Sequence, residues 1–254
     1  MWHEENVNPT KIIYGNFTES RSLFVTSNGD IYIDDGNKNS QVQKWSAQTN
    51  LFAIVMNVNS SCFGLFVDIS DTLYCSMFNH HHVLKRSLKD SVMTLNRVAA
   101  GTGIRGSTSN QLNSPRGILV DVNLDLYVTD CGNHRVQLFH PGESNGITLA
   151  GSGSLHPSII LRFPSGIILD AEKYLFIVDS YNQRIVASGL NGFRCVVGCD
   201  GGGSQSNQLT SPFSFGFDRS GNMFVADYSN HRIQKFQYFE ESCEIIEKKD
   251  YHRK

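Results

Sequence analysis

The chain has 254 residues, 40% of them hydrophobic, and a formal net charge of −2. The hydrophobic share supplies a sizeable core and excludes a disordered chain, and the nearly neutral charge provides no global field to attract nucleic acid or an anionic membrane. No apolar run approaches the length of a membrane span, and residues 1–5 show no signal peptide.

Short apolar runs separated by turns recur five times along the chain. The runs are rich in β-branched and aromatic residues and lack helical periodicity, so they predict strands. In the third copy, residues 115–139, we expect strands over Gly117–Asp121, Leu124–Thr129 and Val136–Phe139. The second strand of each copy closes on a residue that recurs at intervals of about 40–50 positions. These closing residues are Asp35, Met77, Asp130, Asp179 and Asp227.

A fourth apolar run completes each of the first four copies. These runs are Leu51–Met56, Arg97–Ala100, Thr148–Ala150 and Arg194–Val197. Four short strands in each repeat of this length are typical of a β-propeller blade. The sequence therefore predicts an all-β propeller of four-stranded blades. Five repeat cores are visible, which allows five or six blades.

The two ends of the chain bear on how the ring closes. Lys11–Gly15 resembles a fourth strand that arrives before any first strand. We expect a strand over residues 10–15 to pair with Ile233–Phe236, completing the last blade and covering its edge. The alternative is that the chain belongs to a longer protein and a sixth blade is missing. The propeller is assigned to residues 1–237, and residues 238–254 form a charged C-terminal tail.

The connection between the second and third strands carries a recurring polar motif. It reads Asp-x-x-Asn-His-Arg in Asp130–Val136 and Asp227–Ile233, and Gln replaces His in Asp179–Ile185. This motif resembles that of the NHL repeat family, and the resemblance extends over roughly residues 11–237. The first two copies depart from it, since neither keeps the arginine.

The resemblance implies a propeller, usually of six blades, that mostly works by binding. Some NHL propellers hold proteins, others hold RNA, and some lie behind ubiquitin-ligase domains. Propellers of the same shape include a metal-dependent peptide-amidating lyase and gluconolactonase-like hydrolases. Fold alone does not choose between these functions.

Because the polar motif recurs with each blade, we interpret it as structural. The Asn tolerates left-handed backbone, and an Asp and an Arg five positions apart can pair across the connection. The residues of this corner are Asp130, Asn133, Arg135, Asp179, Asn182, Arg184, Asp227, Asn230 and Arg232.

Catalysis is not expected. A lyase or lactonase of this shape needs carboxylates or histidines where the innermost strands begin, and those positions hold none. His80, His81 and His82 are interpreted as an exposed polar loop rather than a metal site, because consecutive side chains point in different directions. We therefore predict no catalytic residue, no metal and no cofactor.

The linkers between blades and the Asn-His-Arg connections lie on one face and together predict a rim. A protein partner is favoured there, and a basic, aromatic rim also suits RNA. The copies differ most at one aligned position, which is Arg116 in the third copy and Phe63, Ser165 or Phe213 in the others. The candidate binding residues are Arg21, Arg105, Arg116, His134, Arg162, Phe163, Phe213 and His231.

Covalent features favour an oxidising, extracellular compartment. Cys195 and Cys199 are close enough in sequence to form a disulfide around a turn. Asn16 and Asn59 each begin an Asn-x-Ser/Thr sequon and are candidate glycosylation sites.

Overall fold

The computed structural model describes residues 12–90, 96–154 and 159–237. These residues form five antiparallel sheets arranged in a ring, a five-bladed β-propeller. In each blade the strands are hydrogen-bonded in the order of the sequence. The all-β propeller predicted from the repeats is confirmed.

The strands are numbered in chain order. The first blade contains β1 (Leu23–Val25), β2 (Ile31–Asp34), β3 (Gln41–Trp45) and β4 (Phe52–Asn57), and the second contains β5 (Cys62–Val67), β6 (Thr72–Met77), β7 (His82–Ser87) and β8 (Arg97–Ala100). The third contains β9 (Ile118–Val120), β10 (Leu126–Asp130), β11 (Arg135–Phe139) and β12 (Ile147–Gly151), and the fourth contains β13 (Pro164–Leu169), β14 (Leu175–Asp179), β15 (Arg184–Gly189) and β16 (Gly192–Val197). The fifth contains β17 (Pro212–Phe217), β18 (Met223–Asp227) and β19 (Arg232–Phe236).

The turn between the first and second strands is built by an aspartate in four of the blades. In the third blade, Asp121 Oδ1 accepts hydrogen bonds from the backbone N–H groups of Asn123 at 2.9 Å and Asp125 at 3.0 Å. Asp68 and Asp218 bond the backbone two and four residues on in the same way, and Asp170 bonds the backbone four residues on. Aspartate favours such turns because its short carboxylate satisfies nearby backbone donors.

The first strands of successive blades lie side by side around the axis of the ring. A Cβ atom at Gly64 would lie 2.4 Å from the carbonyl oxygen of Arg116, and one at Gly117 would lie 2.5 Å from that of Ser165. Only glycine permits so close an approach of two backbones. Side-chain hydroxyls also join neighbouring blades there, as where Ser22 donates to the Cys62 carbonyl at 2.7 Å.

Four hydrophobic clusters fill the junctions between consecutive blades. The linkers contribute Leu112, Leu161 and Leu209 to these cores, and all three are buried. Among the described residues, none of the four clusters joins the fifth blade to the first. Leu23 of β1 and Ile233 of β19 are accordingly exposed, at 64% and 66% of their surfaces.

The ends of the chain differ from the expectation. Residues 12–17 have no regular secondary structure, so the strand predicted over residues 10–15 is not formed in its described part. Within the described residues, β19 pairs only with β18. Residues 10 and 11 and the tail at 238–254 lie outside the described residues. No helix in the described part of the chain is long and apolar enough to cross a membrane.

Candidate interaction surface

The polar corner in the third blade is a closed hydrogen-bond network. Arg135 Nε donates to Asp130 Oδ2 at 2.7 Å, and Asn133 Nδ2 donates to the same oxygen at 2.8 Å. The other oxygen of Asp130 accepts from the backbone N–H of Asn113 at 2.6 Å. The two terminal nitrogens of Arg135 donate to three carbonyls of the preceding linker, those of Ser107, Thr108 and Gln111.

The corner recurs in the fourth and fifth blades. Arg184 donates to Asp179 at 2.9 Å, and Arg232 donates to Asp227 at 2.7 Å. Burial raises the pKa of the Asp227 carboxyl, but hydrogen bonds from Thr210, Asn230 and Arg232 outweigh burial and hold that pKa below its ordinary value. Each corner therefore fixes its own linker to the sheet, and its charges are already neutralised.

The first two blades replace the corner with other chemistry. Asp35 Oδ2 accepts from the side-chain amides of Asn39, Gln41 and Gln43, which stand in for the arginine. The connection there forms one helical turn, α1 (Gly36–Asn39). In the second blade the buried residue at this position is Met77, which has no charge to neutralise.

Left-handed backbone occurs one residue later than the sequence predicts. The residues with positive φ are His134 at 57°, Gln183 at 59° and His231 at 52°, each directly after the Asn. The Asn residues instead end 3-10 turns and bond the aspartate. The assignment of the left-handed position to the Asn was wrong, because the Asn side chain is required by the carboxylate.

The left-handed residue joins its blade to the next one. His81 Nδ1 accepts the Ser114 backbone N–H at 3.0 Å, and His134 Nδ1 accepts that of Phe163 at 3.1 Å. Gln183 accepts the N–H of Ser211 through its side-chain oxygen. His134, a predicted binding residue, thus has an inter-blade contact. The side chain of His231 forms no hydrogen bond within the described residues, and it is exposed.

Six side chains from four blades form a continuous cluster where the first strands begin. The guanidinium of Arg116 lies 5.3 Å from the ring centre of Phe78 and 5.4 Å from that of Phe213. Phe78 stacks on Phe63 with ring centres 4.5 Å apart, and Arg21 lies 5.7 Å from the Phe63 ring. The mouth surface is defined as these residues together with a tyrosine 6.5 Å from Phe213: Arg21, Phe63, Phe78, Arg116, Phe213 and Tyr228.

A small residue in the fourth blade lets Arg116 of the third blade reach the fifth. Ser165 occupies the position equivalent to Arg116, and its hydroxyl donates to the Phe213 carbonyl at 2.7 Å. Ser165 is short and buried, and the Arg116 guanidinium lies within 5.4 Å of the Phe213 ring centre. The mouth surface therefore spans non-adjacent blades.

The other predicted rim residues do not all join this cluster. Arg162 lies 5.9 Å from the Tyr181 ring, and Phe163 packs between Tyr181 and His134, forming a second aromatic group on the same face. Arg105 is exposed in its linker. Sequence reasoning did not select Phe78, Tyr181 or Tyr228. Aligning the repeats could have identified two of them. Phe78 and Tyr228 are large aromatic residues at the position that the small, buried Cys131 occupies in the third blade.

The three consecutive histidines are not an exposed loop. His80, His81 and His82 are each partly buried, and His81 makes the contact to Ser114. The rings of His80 and His82 have centres 6.1 Å apart. Within residues 12–90, 96–154 and 159–237, no group of three or more His, Cys, Asp or Glu side chains is placed to hold a metal ion.

The described residues contain two disulfides, Cys195–Cys199 as predicted and Cys62–Cys75, which was not predicted. The second joins the neighbouring strands β5 and β6 at a register shift that sequence does not reveal. Asn16 and Asn59 are both exposed, which glycosylation requires. Their modification stays a prediction.

Comparison with known proteins identifies the repeat. Residues 112–139, which run from the linker to the end of β11, match the family model described as NHL repeat. Residues 112–139 are therefore an NHL repeat within a five-bladed β-propeller. A curated relative, Protein SUPPRESSOR OF QUENCHING 1, chloroplastic, from Arabidopsis thaliana, is 22% identical over 88% of this chain. The match covers 23% of that relative, so the chain spans about a quarter of its length.

Solved structures show the same fold at low identity. An auxiliary nutrient binding protein from Bacteroides thetaiotaomicron is 14% identical with a TM-score of 0.66, over 88% of this chain and 60% of that one. A chain in a nidogen/laminin complex is 20% identical with a TM-score of 0.65, over 85% and 75%. Virginiamycin B lyase from Staphylococcus aureus is 13% identical with a TM-score of 0.56, over 86% and 69%. The propeller thus shares its fold with binding proteins and with a lyase.

Proposed function

We propose that this propeller is a non-catalytic module that binds a protein partner at the mouth surface. The observation that carries the proposal is the contiguous cluster of two arginines and four aromatic rings drawn from four blades. Tyrosine and arginine are enriched among the residues that dominate binding energy in protein interfaces. Tyr228 is exposed and Phe213 is half-buried, so the cluster offers apolar area to a partner.

The repeated polar groups are not free to serve as the binding site. Each corner carboxylate already accepts hydrogen bonds from its own arginine and asparagine. None of the six residues of the mouth surface carries a carboxylate, although Glu19 lies 3.8 Å from Arg21 in an exposed ion pair. Arg116 therefore supplies the unpaired positive charge beside the aromatic rings. A chain of the same fold was solved in a nidogen/laminin complex, which supports a protein partner for this propeller.

Single-stranded RNA is the second candidate, because stacked rings beside arginines also suit bases and phosphates. Binding of RNA would fall steeply as salt rises, since each phosphate contact releases counterions. The small number of cations at the mouth, Arg21 and Arg116, favours the protein partner.

The proposal is tested by selecting peptides from a random display library on the immobilised propeller. Recovered peptides are expected to lose binding to Phe63→Ala/Phe213→Ala and to keep it with Leu190→Ala. Leu190 is a matched control because it is 95% exposed in the turn between β15 and β16, at the other end of the blade. Recovery of no peptide, or equal binding to both variants, would reject the mouth surface as the site.

A further inference from the structure

We infer that Arg116 forms a carboxylate-binding subsite within the mouth surface, which takes an aspartate or glutamate side chain of the partner. The inference rests on the proposed function and adds the chemical class that the mouth recognises. The arginines on this face of the molecule differ in whether they form an ion pair. Arg135, Arg184 and Arg232 each have an aspartate, whereas Arg116 takes part in none of the ion pairs formed by the described residues.

The guanidinium of Arg116 also has unused hydrogen-bonding capacity. Its Nε atom is shielded from solvent and has no acceptor among the described residues. A buried donor without a partner costs free energy, and an incoming acceptor recovers that cost. None of the described side chains supplies this acceptor.

No carboxylate in the described part of the chain forms an ion pair with Arg116. The thiol of Cys131 interacts electrostatically with Arg116, and burial raises the pKa of this thiol to about 11 despite the opposing effect of Arg116. This thiol therefore stays neutral at physiological pH. The nearest corner carboxylate, Asp130, is occupied by Arg135, Asn133 and the Asn113 backbone.

The aromatic rings restrict the orientation of the guanidinium. With Phe78 at 5.3 Å and Phe213 at 5.4 Å, the group lies between two rings from different blades. A planar guanidinium held in this way presents its donors in a fixed fork that matches a carboxylate. Prior restriction lowers the entropic cost of binding. Phe63, Phe213 and Tyr228 are then placed to contact apolar residues beside the acidic one.

The experiment uses peptides selected on the wild-type propeller and measures their binding by fluorescence anisotropy. Selected peptides are expected to share an acidic residue. Replacing that Glu with Gln in the peptide, or Arg116→Gln in the protein, is expected to weaken binding about 10- to 100-fold, as for other hydrogen bonds to charged groups. The two changes together are expected to weaken it little more than either one, because both remove the same contact.

Arg219→Gln is the matched control, since this arginine is exposed in the turn between β17 and β18 at the opposite end of the fifth blade. It is expected to leave affinity unchanged. The peptide substitution tests the subsite on the unaltered protein, so the result does not depend on the folding of any variant.

Other outcomes overturn the inference in distinguishable ways. Peptides that lack an acidic residue and bind wild type and Arg116→Gln alike would overturn the subsite and leave the proposed protein binding intact. Recovery of no peptide would overturn both. Binding of single-stranded oligo(U) that is lost in Arg116→Gln, with no peptide binding, would assign Arg116 to phosphate instead.

Discussion

Two groups of arginines on one face of the propeller have opposite environments. The side chain of the corner arginine Arg135 is 8% exposed beside a fully buried aspartate, and each of its three guanidinium nitrogens donates a hydrogen bond within its own blade and linker. Arg116 lies between aromatic rings and has no ion-pair partner among the described residues. The corner is repeated in three blades, and the mouth differs in each. What repeats stabilises the propeller, and what varies is available for a partner.

The largest expected effect comes from breaking a corner. Arg135→Ala leaves the Asp130 carboxylate buried and without its cation, which is expected to cost about 3–5 kcal/mol of unfolding free energy. Equilibrium urea unfolding measures this loss, with Arg219→Ala as the control. A change below about 1 kcal/mol, the range of surface ion pairs, would contradict a structural role for the corner.

Removing a disulfide is expected to cause the next largest loss of unfolding free energy. Cys62–Cys75 closes a loop with a separation of 13 residues, and Cys195–Cys199 closes one of 4. From loop-closure entropy, Cys62→Ser/Cys75→Ser is expected to lose about 3 kcal/mol and Cys195→Ser/Cys199→Ser about 2 kcal/mol. Thermal unfolding of both pairs of variants gives the order, and the reverse order would contradict this account.

Acid pH is expected to weaken the second blade. Burial, with smaller effects of Arg105 and His80, lowers the pKa of His81, and burial likewise lowers that of His82. Because the folded state binds protons less readily, their contribution is complete above the unfolded pKa of about 6.5 and is lost as pH falls below it. Unfolding free energy is expected to fall by up to about 1.4 kcal/mol per pH unit for each histidine.

The pH dependence has its own control. His81→Gln keeps a side-chain acceptor for the Ser114 N–H, as Gln183 does for Ser211, and removes the titration. In the variant His81→Gln/His82→Gln, the urea midpoint is expected to depend less on pH between about pH 5 and 6.5. An unchanged slope in that window would exclude these two groups as its cause.

The smallest expected change in stability distinguishes His134 from His231, which occupy equivalent positions in their blades. His134→Ala removes one hydrogen bond between the third and fourth blades and is expected to cost about 1 kcal/mol. His231→Ala is expected to cost close to nothing, because its side chain bonds none of the described residues. Equal losses in chemical unfolding would show that His231 has a partner of comparable strength.

Much of the scaffold could be predicted from sequence, because it depends on local spacing. The strands recur with the repeat, and the Asp and Arg five positions apart meet across one connection. The mouth could not be predicted in the same way. The contact of Arg116 with Phe213 depends on the small Ser165 and on how the blades are arranged in the ring. The Cys62–Cys75 disulfide depends on a register shift between two strands, which the sequence does not reveal. The strand expected over residues 10–15 rested only on an apolar pattern, and residues 12–15 do not form one.

The mouth surface is expected to bind a partner without stabilising the fold. The most direct test measures unfolding and peptide binding in the same preparation of Arg116→Gln. We expect a urea midpoint equal to that of wild type and an affinity for an acidic peptide lowered at least about tenfold. An unchanged affinity, or a loss of stability as large as that of Arg135→Ala, would contradict it.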